Sequence, residues 1–266
     1  MAIAVIVGTG LLGSSFGLAA KQAKSFTRVI GVSSPAVVEK ALAVGAIDEA
    51  MPIEKALPQA DLVLLAQPVR RILKLIETLD PMLKQGALVT DVGSTKVEIC
   101  AAAAKYITRA RFVGGHPMAG REVRGPEGAS ADLFIGRPWV LTVDDSDLAG
   151  LISTFGARPV LLSAEAHDRM VACSSHLPQL LSTALASMLN GRDLKPVAGP
   201  GLIDMTRLAL SSYELWEDIL ATNASNVDDA LAGMIGELEQ FRVALRAGRG
   251  VQAFDRGNRF ASDLRN

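Results

Sequence analysis

The stretch Ile3-Ala4-Val5-Ile6-Val7-Gly8-Thr9-Gly10-Leu11-Leu12-Gly13 decides the fold of the N-terminal half of the chain. Residues 3–7 are an apolar run of strand length, and residues 14–23 have the pattern of a helix. In such a strand-turn-helix, the first glycine permits the tight turn, the second lets a pyrophosphate approach the backbone, and the third lets the helix pack on the strand. The helix N-terminus supplies amide donors for phosphate. We therefore predict dinucleotide binding at Gly8, Thr9, Gly10, Leu11, Leu12 and Gly13.

Strands and helices continue to alternate downstream of this turn. Apolar runs predict strands at 28–32, 61–66, 87–92, 111–113, 139–143 and 159–162. Helices are predicted at 35–44, 70–79 and 96–104. This alternation indicates an α/β fold with a doubly wound sheet.

The end of the second predicted strand bears on the choice of cofactor. An NAD site usually has a carboxylate there, about 20 residues beyond the glycines, to bind the ribose hydroxyls. This chain has Ser33 and Ser34 instead, with no arginine or lysine immediately after them. We therefore predict binding of NADP or NAD, with a modest preference for NADP. Gln67 and Pro68 follow the third strand at the same sheet edge and complete the predicted cofactor site.

The stretch Gly114-Gly115-His116-Pro117-Met118-Ala119-Gly120 follows the strand at 111–113. Its glycines free the backbone and Pro117 favours an extended conformation at His116. We predict a pliable turn that presents one imidazole, the side chain best suited to proton exchange near neutral pH. Ser94 follows the strand at 87–92 at the same edge, where it is expected both to cap the next helix and to place a hydroxyl in the site.

The pattern changes near Ser163. Beyond it we predict helices at 164–174, 177–190, 202–222, 225–247 and 250–264, interrupted only at 191–201. We divide the chain into a dinucleotide-binding domain, 1–163, and an all-helical domain, 164–266. The helix at 177–190 is apolar on more than one face, so it needs cover on several sides. This predicts a homodimer formed through the helical domain.

The composition excludes several other classes of protein. With 27 basic and 28 acidic residues the net charge is −1, which provides no electrostatic basis for binding nucleic acid or a membrane surface. Cys100 and Cys173 do not form a disulfide framework, and no metal site is expected. The chain shows neither a signal segment nor an apolar run of membrane-spanning length, so the expected location is the cytoplasm.

Two further motifs lie in the helical half. Ser175-His176-Leu177-Pro178 precedes one predicted helix, and Asp204-Met205-Thr206-Arg207 begins another, followed by Trp216. Together with the glycine turn, residues 91–96 and the stretch at 114–120, these motifs resemble the prephenate and arogenate dehydrogenase family. The resemblance runs through nearly the whole chain in the same order.

The resemblance implies a Rossmann-type domain, an all-helical dimerisation domain and a site between them. It implies NAD(P)-dependent oxidative decarboxylation of prephenate or arogenate, on the route to tyrosine. His116 would accept the proton of the ring hydroxyl and Ser94 would hold that hydroxyl or the imidazole. Substrate binding would fall to Arg207, as a planar partner for carboxylate, and to His176, Asp204 and Trp216. No mutase or regulatory domain is expected, because the two domains account for all 266 residues.

Two other functions fit parts of the sequence. One is a β-hydroxyacid dehydrogenase or imine reductase, which has a similar domain arrangement. These enzymes usually rely on a catalytic lysine in the helical half or on hydroxyl groups, whereas Lys195 is the only lysine after residue 105 and lies in the irregular segment. The other is an NAD(P)-binding redox sensor without turnover, which would not need His116, Ser94 and Arg207 together.

Overall fold

A computed structural model describes residues 2–121, 123–248 and 251–265 of the chain. The strands of the described residues are β1 (Ile3–Val7), β2 (Arg28–Val32), β3 (Glu49–Ala50), β4 (Leu62–Leu65), β5 (Leu88–Asp91), β6 (Arg111–Val113), β7 (Gly115–Pro117), β8 (Pro138–Leu141) and β9 (Arg158–Leu161). The helices are α1 (Leu11–Gln22), α2 (Pro35–Ala43), α3 (Ile53–Ala56), α4 (Val69–Leu79), α5 (Val97–Tyr106), α6 (Ser146–Thr154), α7 (Ala164–Val171), α8 (Leu177–Leu189), α9 (Pro200–Thr206), α10 (Tyr213–Thr222), α11 (Ala224–Arg246) and α12 (Val251–Asp263).

Six strands form a parallel sheet in the order β3-β2-β1-β4-β5-β6. The order reverses direction between β1 and β4, so the carboxyl ends of these strands flank a crevice where ligands bind in such sheets. Side chains of β1 alternate between two apolar cores, with Ile6 in one and Val5 and Val7 in the other. Both faces of the sheet are therefore covered, and the predicted α/β class is confirmed.

A second, three-stranded sheet has the order β7-β8-β9. Strands β8 and β9, which the sequence predicts from the same alternation of strands and helices, belong to this second sheet and not to the parallel one. The prediction of a pliable turn at His116 was wrong. Residues 115–117 form β7, which pairs antiparallel with β8 and places His116 opposite Val140. Ladder hydrogen bonds thus hold the backbone of His116.

Every described residue from Ala164 onward that has regular structure is helical. The prediction of one helix at 202–222 was wrong, since α9 ends at Thr206, a 3₁₀ turn covers Arg207–Leu210, and α10 starts at Tyr213. A π-helical turn at Ala172–His176 joins α7 directly to α8, so the motif at 175–178 lies in a continuous path and does not begin a separate helix. The predicted start of the last helix, residue 250, lies outside the described residues.

Candidate active site

The glycine turn after β1 has the geometry that its spacing predicts. A Cβ atom on Gly8, which has φ +101°, would lie 2.2 Å from the carbonyl oxygen of Ala66, and one on Gly13 would lie 2.0 Å from the carbonyl oxygen of Gly8. A Cβ on Gly10 would meet nothing within 4 Å. The first and third glycines therefore permit close packing, whereas the second leaves open space at the start of α1, where a phosphate group fits.

A cavity of about 500 Å³ adjoins this turn at the carboxyl ends of β1, β2 and β4. Its wall includes Ser33, Ser34 and Gln67, three of the predicted cofactor residues, together with Glu54 and Arg71. The hydroxyl of Ser34 does not cap α2, so it is available to a ligand. Pro68 is exposed beside the cavity, whereas Thr9 is fully buried and its hydroxyl has no hydrogen-bond partner among the described residues.

Arg71 is a cation that the sequence-based prediction missed. It lies on α4, 38 residues after Ser33 in sequence, and reaches the same cavity because β4 is close to β2 in the sheet. Lys40, the nearest cation after Ser33 in sequence, is instead paired with Glu127 at 2.5 Å. The residues present thus fit the adenosine end of a dinucleotide, with hydroxyls and one guanidinium lining the wall.

A buried ion pair shapes the next sheet edge. Asp91 ends β5, and its carboxylate binds the ammonium group of Lys96, with both side chains fully buried. Asp91 also accepts hydrogen bonds from the amides of Gly93 at 2.7 Å and Gly115 at 3.0 Å. The bond to Gly115 ties β7 to β5. The neighbouring His116 is thereby placed near the carboxyl edge of the parallel sheet.

His116 is half-buried and its Nδ1 lies 2.8 Å from Nε2 of His167. Its Nε2 makes no hydrogen bond within the described residues, which leaves it available to a ligand. Burial, followed by the proximity of His167, Lys96 and His176, holds the pKa of His116 well below the ordinary value of 6.5. The imidazole is therefore neutral at pH 7 and can accept a proton.

The N-terminus of α5 is capped from another element. Asp168 on α7 accepts hydrogen bonds from the amides of Lys96 at 2.7 Å and Val97 at 2.9 Å. The prediction that Ser94 caps this helix was wrong. The two backbone amides at the start of the helix are bound to Asp168. The side chain of the N-cap residue, Lys96, makes no capping hydrogen bond. Ser94 is half-buried in the turn between β5 and α5. Its proposed role in the site does not depend on capping.

His176 lies in the π-helical turn and is buried. Its Nδ1 is 3.3 Å from the side-chain amide nitrogen of Asn223. The same nitrogen donates to the backbone oxygen of Asp168 at 2.8 Å. The ring packs edge-on against Trp216 at 5.8 Å, and the indole Nε1 of Trp216 is buried with no partner among the described residues. Burial lowers the pKa of His176 to about 4, so the ring is neutral. His176 does not cap α8 with its side chain.

Arg207 and Asp204 are exposed on the helical half. Arg207 begins the 3₁₀ turn that separates α9 from α10. Polar side chains of α8 hold this turn: Gln179 donates to the carbonyl oxygen of Leu208 at 2.8 Å, and the hydroxyl of Ser182 accepts from the amide of Ala209 at 3.1 Å. The turn is thus attached to the helix that follows His176.

Hydrogen bonds and one ring contact connect several of the predicted site residues. His116 is linked to His176 and Trp216 through His167, Asp168 and Asn223. Sequence reasoning missed these three linking residues. The only signal for them was a histidine and an aspartate, 167 and 168, adjacent within a short helix. The segment that carries Arg207 and Asp204 is attached to α8.

The described residues show neither a metal-binding cluster nor a membrane-spanning helix. No group of three or more histidine, cysteine, aspartate or glutamate side chains there is arranged to hold a metal ion. Of the helices in those residues, none combines the length and the apolar character needed to cross a membrane.

Comparison with known protein families gives two matches that together span most of the chain. The family model described as prephenate dehydrogenase, nucleotide-binding domain, matches residues 16–153. The model described as prephenate dehydrogenase, dimerization domain, matches residues 163–255. The two matches meet close to the change from mixed to purely helical structure.

Curated relatives have similar descriptions. A prephenate dehydrogenase from Lactococcus lactis is 34% identical over 229 residues, which are 82% of this chain and 64% of that protein. A cyclohexadienyl dehydrogenase from Zymomonas mobilis is 34% identical over 258 residues, which are 90% of this chain and 87% of that protein. The chain therefore spans slightly less than two thirds of the first relative and most of the second.

Solved structures extend the similarity to the whole chain. A prephenate dehydrogenase from A. aeolicus, in complex with hydroxyphenyl propionate and NAD+, is 29% identical with a TM-score of 0.87, covering 100% of this chain and 96% of that one. A Synechocystis arogenate dehydrogenase is 29% identical with a TM-score of 0.82, covering 98% of each chain. A 3-hydroxyisobutyrate dehydrogenase from Mycobacterium tuberculosis, 14% identical with a TM-score of 0.57, shares the fold alone.

Proposed function

The chain belongs to the prephenate dehydrogenase family, and from that premise we propose that it oxidatively decarboxylates prephenate or arogenate with NAD(P). The products would be 4-hydroxyphenylpyruvate or tyrosine, with carbon dioxide, as a step of tyrosine biosynthesis. One observation carries the proposal. A neutral imidazole, His116, is held by a β-ladder at the carboxyl edge of a dinucleotide-binding sheet, with Nε2 open to a ligand.

The reaction needs one proton acceptor that also returns its proton. With a nicotinamide bound, the C–H bond at the ring carbinol would break and its electron pair would leave as hydride, the chemistry that the cofactor would supply. The proton of the adjoining hydroxyl passes to Nε2 of His116. Loss of carbon dioxide then delivers an electron pair to the ring, and the resulting phenolate oxygen recovers the proton from His116. Ser94 would hold the reacting hydroxyl or the imidazole in register.

Substrate binding is assigned to the helical half. Arg207 would bind a substrate carboxylate through its planar guanidinium, with Asp204 on the same segment. His176 and Trp216 would contact the side chain of the substrate. The buried and unpartnered indole Nε1 of Trp216 supports this assignment, because such a donor gains a hydrogen bond when an oxygen of a ligand reaches it.

The cofactor site binds a nicotinamide dinucleotide, and we assign it a modest preference for NADP. Ser33 and Ser34 bring no negative charge against the 2′-phosphate. The guanidinium of Arg71 in the same cavity supplies the positive partner that is missing immediately after Ser33. Glu54 lies on the same wall. Its carboxylate can accept hydrogen bonds from the ribose hydroxyls of NAD and would repel the 2′-phosphate of NADP. The preference for NADP therefore stays modest.

We assign residues 1–163 to the dinucleotide-binding domain and 164–266 to the domain that forms a homodimer. Support for the dimer comes from α8, whose buried residues are the polar Gln179 and Ser182. Its apolar side chains remain partly or mostly exposed in the single chain, as Met188 is at 63%. A helix with this arrangement buries its apolar face only when a second subunit covers it.

The decisive assay follows absorbance at 340 nm while the enzyme is mixed with prephenate or arogenate and with NAD or NADP. We expect reduction of the cofactor with at least one substrate, accompanied by release of carbon dioxide. Replacement of His116 by Asn should preserve cofactor binding and lower kcat by about 10²–10⁴, the usual contribution of a general base. A protein that binds the cofactor and reduces none would be a sensor, and a near-normal kcat in H116N would remove His116 from the role.

A further inference from the structure

A chain of three side chains extends from His116 into the interior. Nδ1 of His116 is 2.8 Å from Nε2 of His167, and Nδ1 of His167 is 2.7 Å from Oδ1 of Asp168. His167 and Asp168 are both fully buried. They lie on α7, whereas His116 lies on β7, so the contact joins the two halves of the molecule.

The other bonds of Asp168 determine which atoms carry the protons. Its two carboxylate oxygens accept from the amides of Lys96 and Val97 at the start of α5. With both oxygens accepting from backbone amides at the positive end of α5, the carboxylate serves Nδ1 of His167 as an acceptor. The hydrogen between His167 and Asp168 therefore belongs to Nδ1 of His167.

The assignment then extends to His116. With the ring of His167 in its neutral form and its proton on Nδ1, its Nε2 has the lone pair and accepts from Nδ1–H of His116. The neutral ring of His116 in turn has its lone pair on Nε2, the atom that makes no hydrogen bond within the described residues. This is the tautomer that a proton-accepting Nε2 requires.

We propose that His167 and Asp168 are positioning residues that fix this tautomer of His116 and share the proton that His116 receives. The proposal rests on the proposed function. When Nε2 of His116 takes the hydroxyl proton, its Nδ1 proton moves to Nε2 of His167. The positive charge then lies beside the carboxylate of Asp168. The same protons return in reverse order when the phenolate oxygen of the product is protonated, so the reaction consumes and releases no proton at this site.

The first test reads the tautomer directly and needs no substrate. The chain has three histidines, His116, His167 and His176, so protein labelled with ¹⁵N-histidine gives three ring systems in long-range ¹H–¹⁵N spectra. The variants H167F and H176N assign them. At pH 7.5 we expect His116 to carry its proton on Nδ1 in the unaltered protein and to become a mixture of tautomers in H167F. A proton on Nε2 of His116 in the unaltered protein would overturn the proposal.

The second test separates positioning from packing through kinetics. In H167F, kcat should fall by about 10- to 100-fold, within the range of proton-transfer assistance, while KM changes by less than about threefold. In H167Q a side-chain carbonyl can accept from Nδ1–H of His116, so the tautomer and part of kcat should return. V171A removes buried packing from the same helix and leaves all three side chains in place, and its kcat should stay near normal.

The outcomes of the two tests distinguish a failure of the proposed role of His167 and Asp168 from a failure of the proposed function. If H167F folds and retains full kcat, the relay is wrong even where the enzyme is active. If H167F and V171A lose activity equally, His167 serves only the packing of α7. If the unaltered enzyme oxidises neither substrate, the proposed function fails, while the spectra still decide which nitrogen of His116 is protonated.

Discussion

At the scale of single residues, we propose that three side chains set which dinucleotide this enzyme prefers. We predict that kcat/KM for NADP equals or exceeds that for NAD, because Ser33, Ser34 and Arg71 line one cavity. The variant S33D should reverse the order, since a carboxylate binds ribose hydroxyls and repels the 2′-phosphate. Initial rates with both cofactors measure this.

Two neighbouring arginines provide a matched control for the same prediction. R71A should lower kcat/KM for NADP more than for NAD, because Arg71 faces the cavity. R70A should change both values alike, because Arg70 is paired with Asp218 and Glu217. A strong NAD preference in the unaltered enzyme would show that the cofactor preference predicted from Ser33 and Ser34 is wrong.

Arg207 is the side chain to which we assign a substrate carboxylate. R207A should weaken substrate binding by about 2–4 kcal/mol, or roughly 30- to 1,000-fold in KM, since a charge-assisted contact is lost. Cofactor affinity should hardly change. R192A, an exposed arginine elsewhere in the helical half, serves as control. An unchanged KM together with lower stability would make Arg207 a structural residue.

At the scale of elements, the turn between β5 and α5 depends on the buried pair of Asp91 and Lys96. K96M should destabilise the fold by about 3–5 kcal/mol, because it leaves a buried carboxylate without its partner. Urea unfolding measures the loss. The double variant D91N/K96M should be more stable than K96M alone, and K55M, at an exposed lysine, should change little. A loss below about 1 kcal/mol in K96M would contradict the buried charge as its cause.

Elements with a strong local signal could be predicted from the sequence. The apolar runs of β1, β2, β4 and β5 and the glycine turn are local properties, and they gave the parallel sheet. Strands β3 and β7 are two and three residues long, too short for any period to show, and they exist only because neighbouring strands bind them. The break at 207–212 was missed because its cause lies in α8, which bonds to the turn through Gln179 and Ser182.

The residues of the candidate site also fall into those that the sequence could predict and those that it could not. His116, His176 and the glycines stand in distinctive motifs, so their importance could be inferred from sequence. Arg71, His167 and Asp168 could not be placed there, because only the folded chain brings them to the cavity or to the imidazole. The cap on α5 shows the same limit. Ser94 was the local candidate, yet the acceptor is 72 residues away from Lys96 in sequence.

For the whole molecule, the distribution of apolar surface differs between the halves. The sheet buries its strands on both faces, whereas the long helix α11 buries only Val227 in the single chain. The apolar residues of α11 are largely uncovered, as Ile235 is 57% and Leu238 is 52% exposed. An apolar surface of this kind on a folded chain indicates an interface.

We therefore predict that the protein is a homodimer in solution. Light scattering at micromolar concentration should give about twice the chain mass of 28.0 kDa. I235E should shift the equilibrium towards monomer, since a carboxylate would be buried without a partner in the interface. Because Ile235 is exposed in the single chain, the subunit fold should survive. Q240E places the same charge at an exposed polar position of α11 and should remain dimeric. A stable monomer of the unaltered protein would refute the argument from the uncovered faces of α8 and α11.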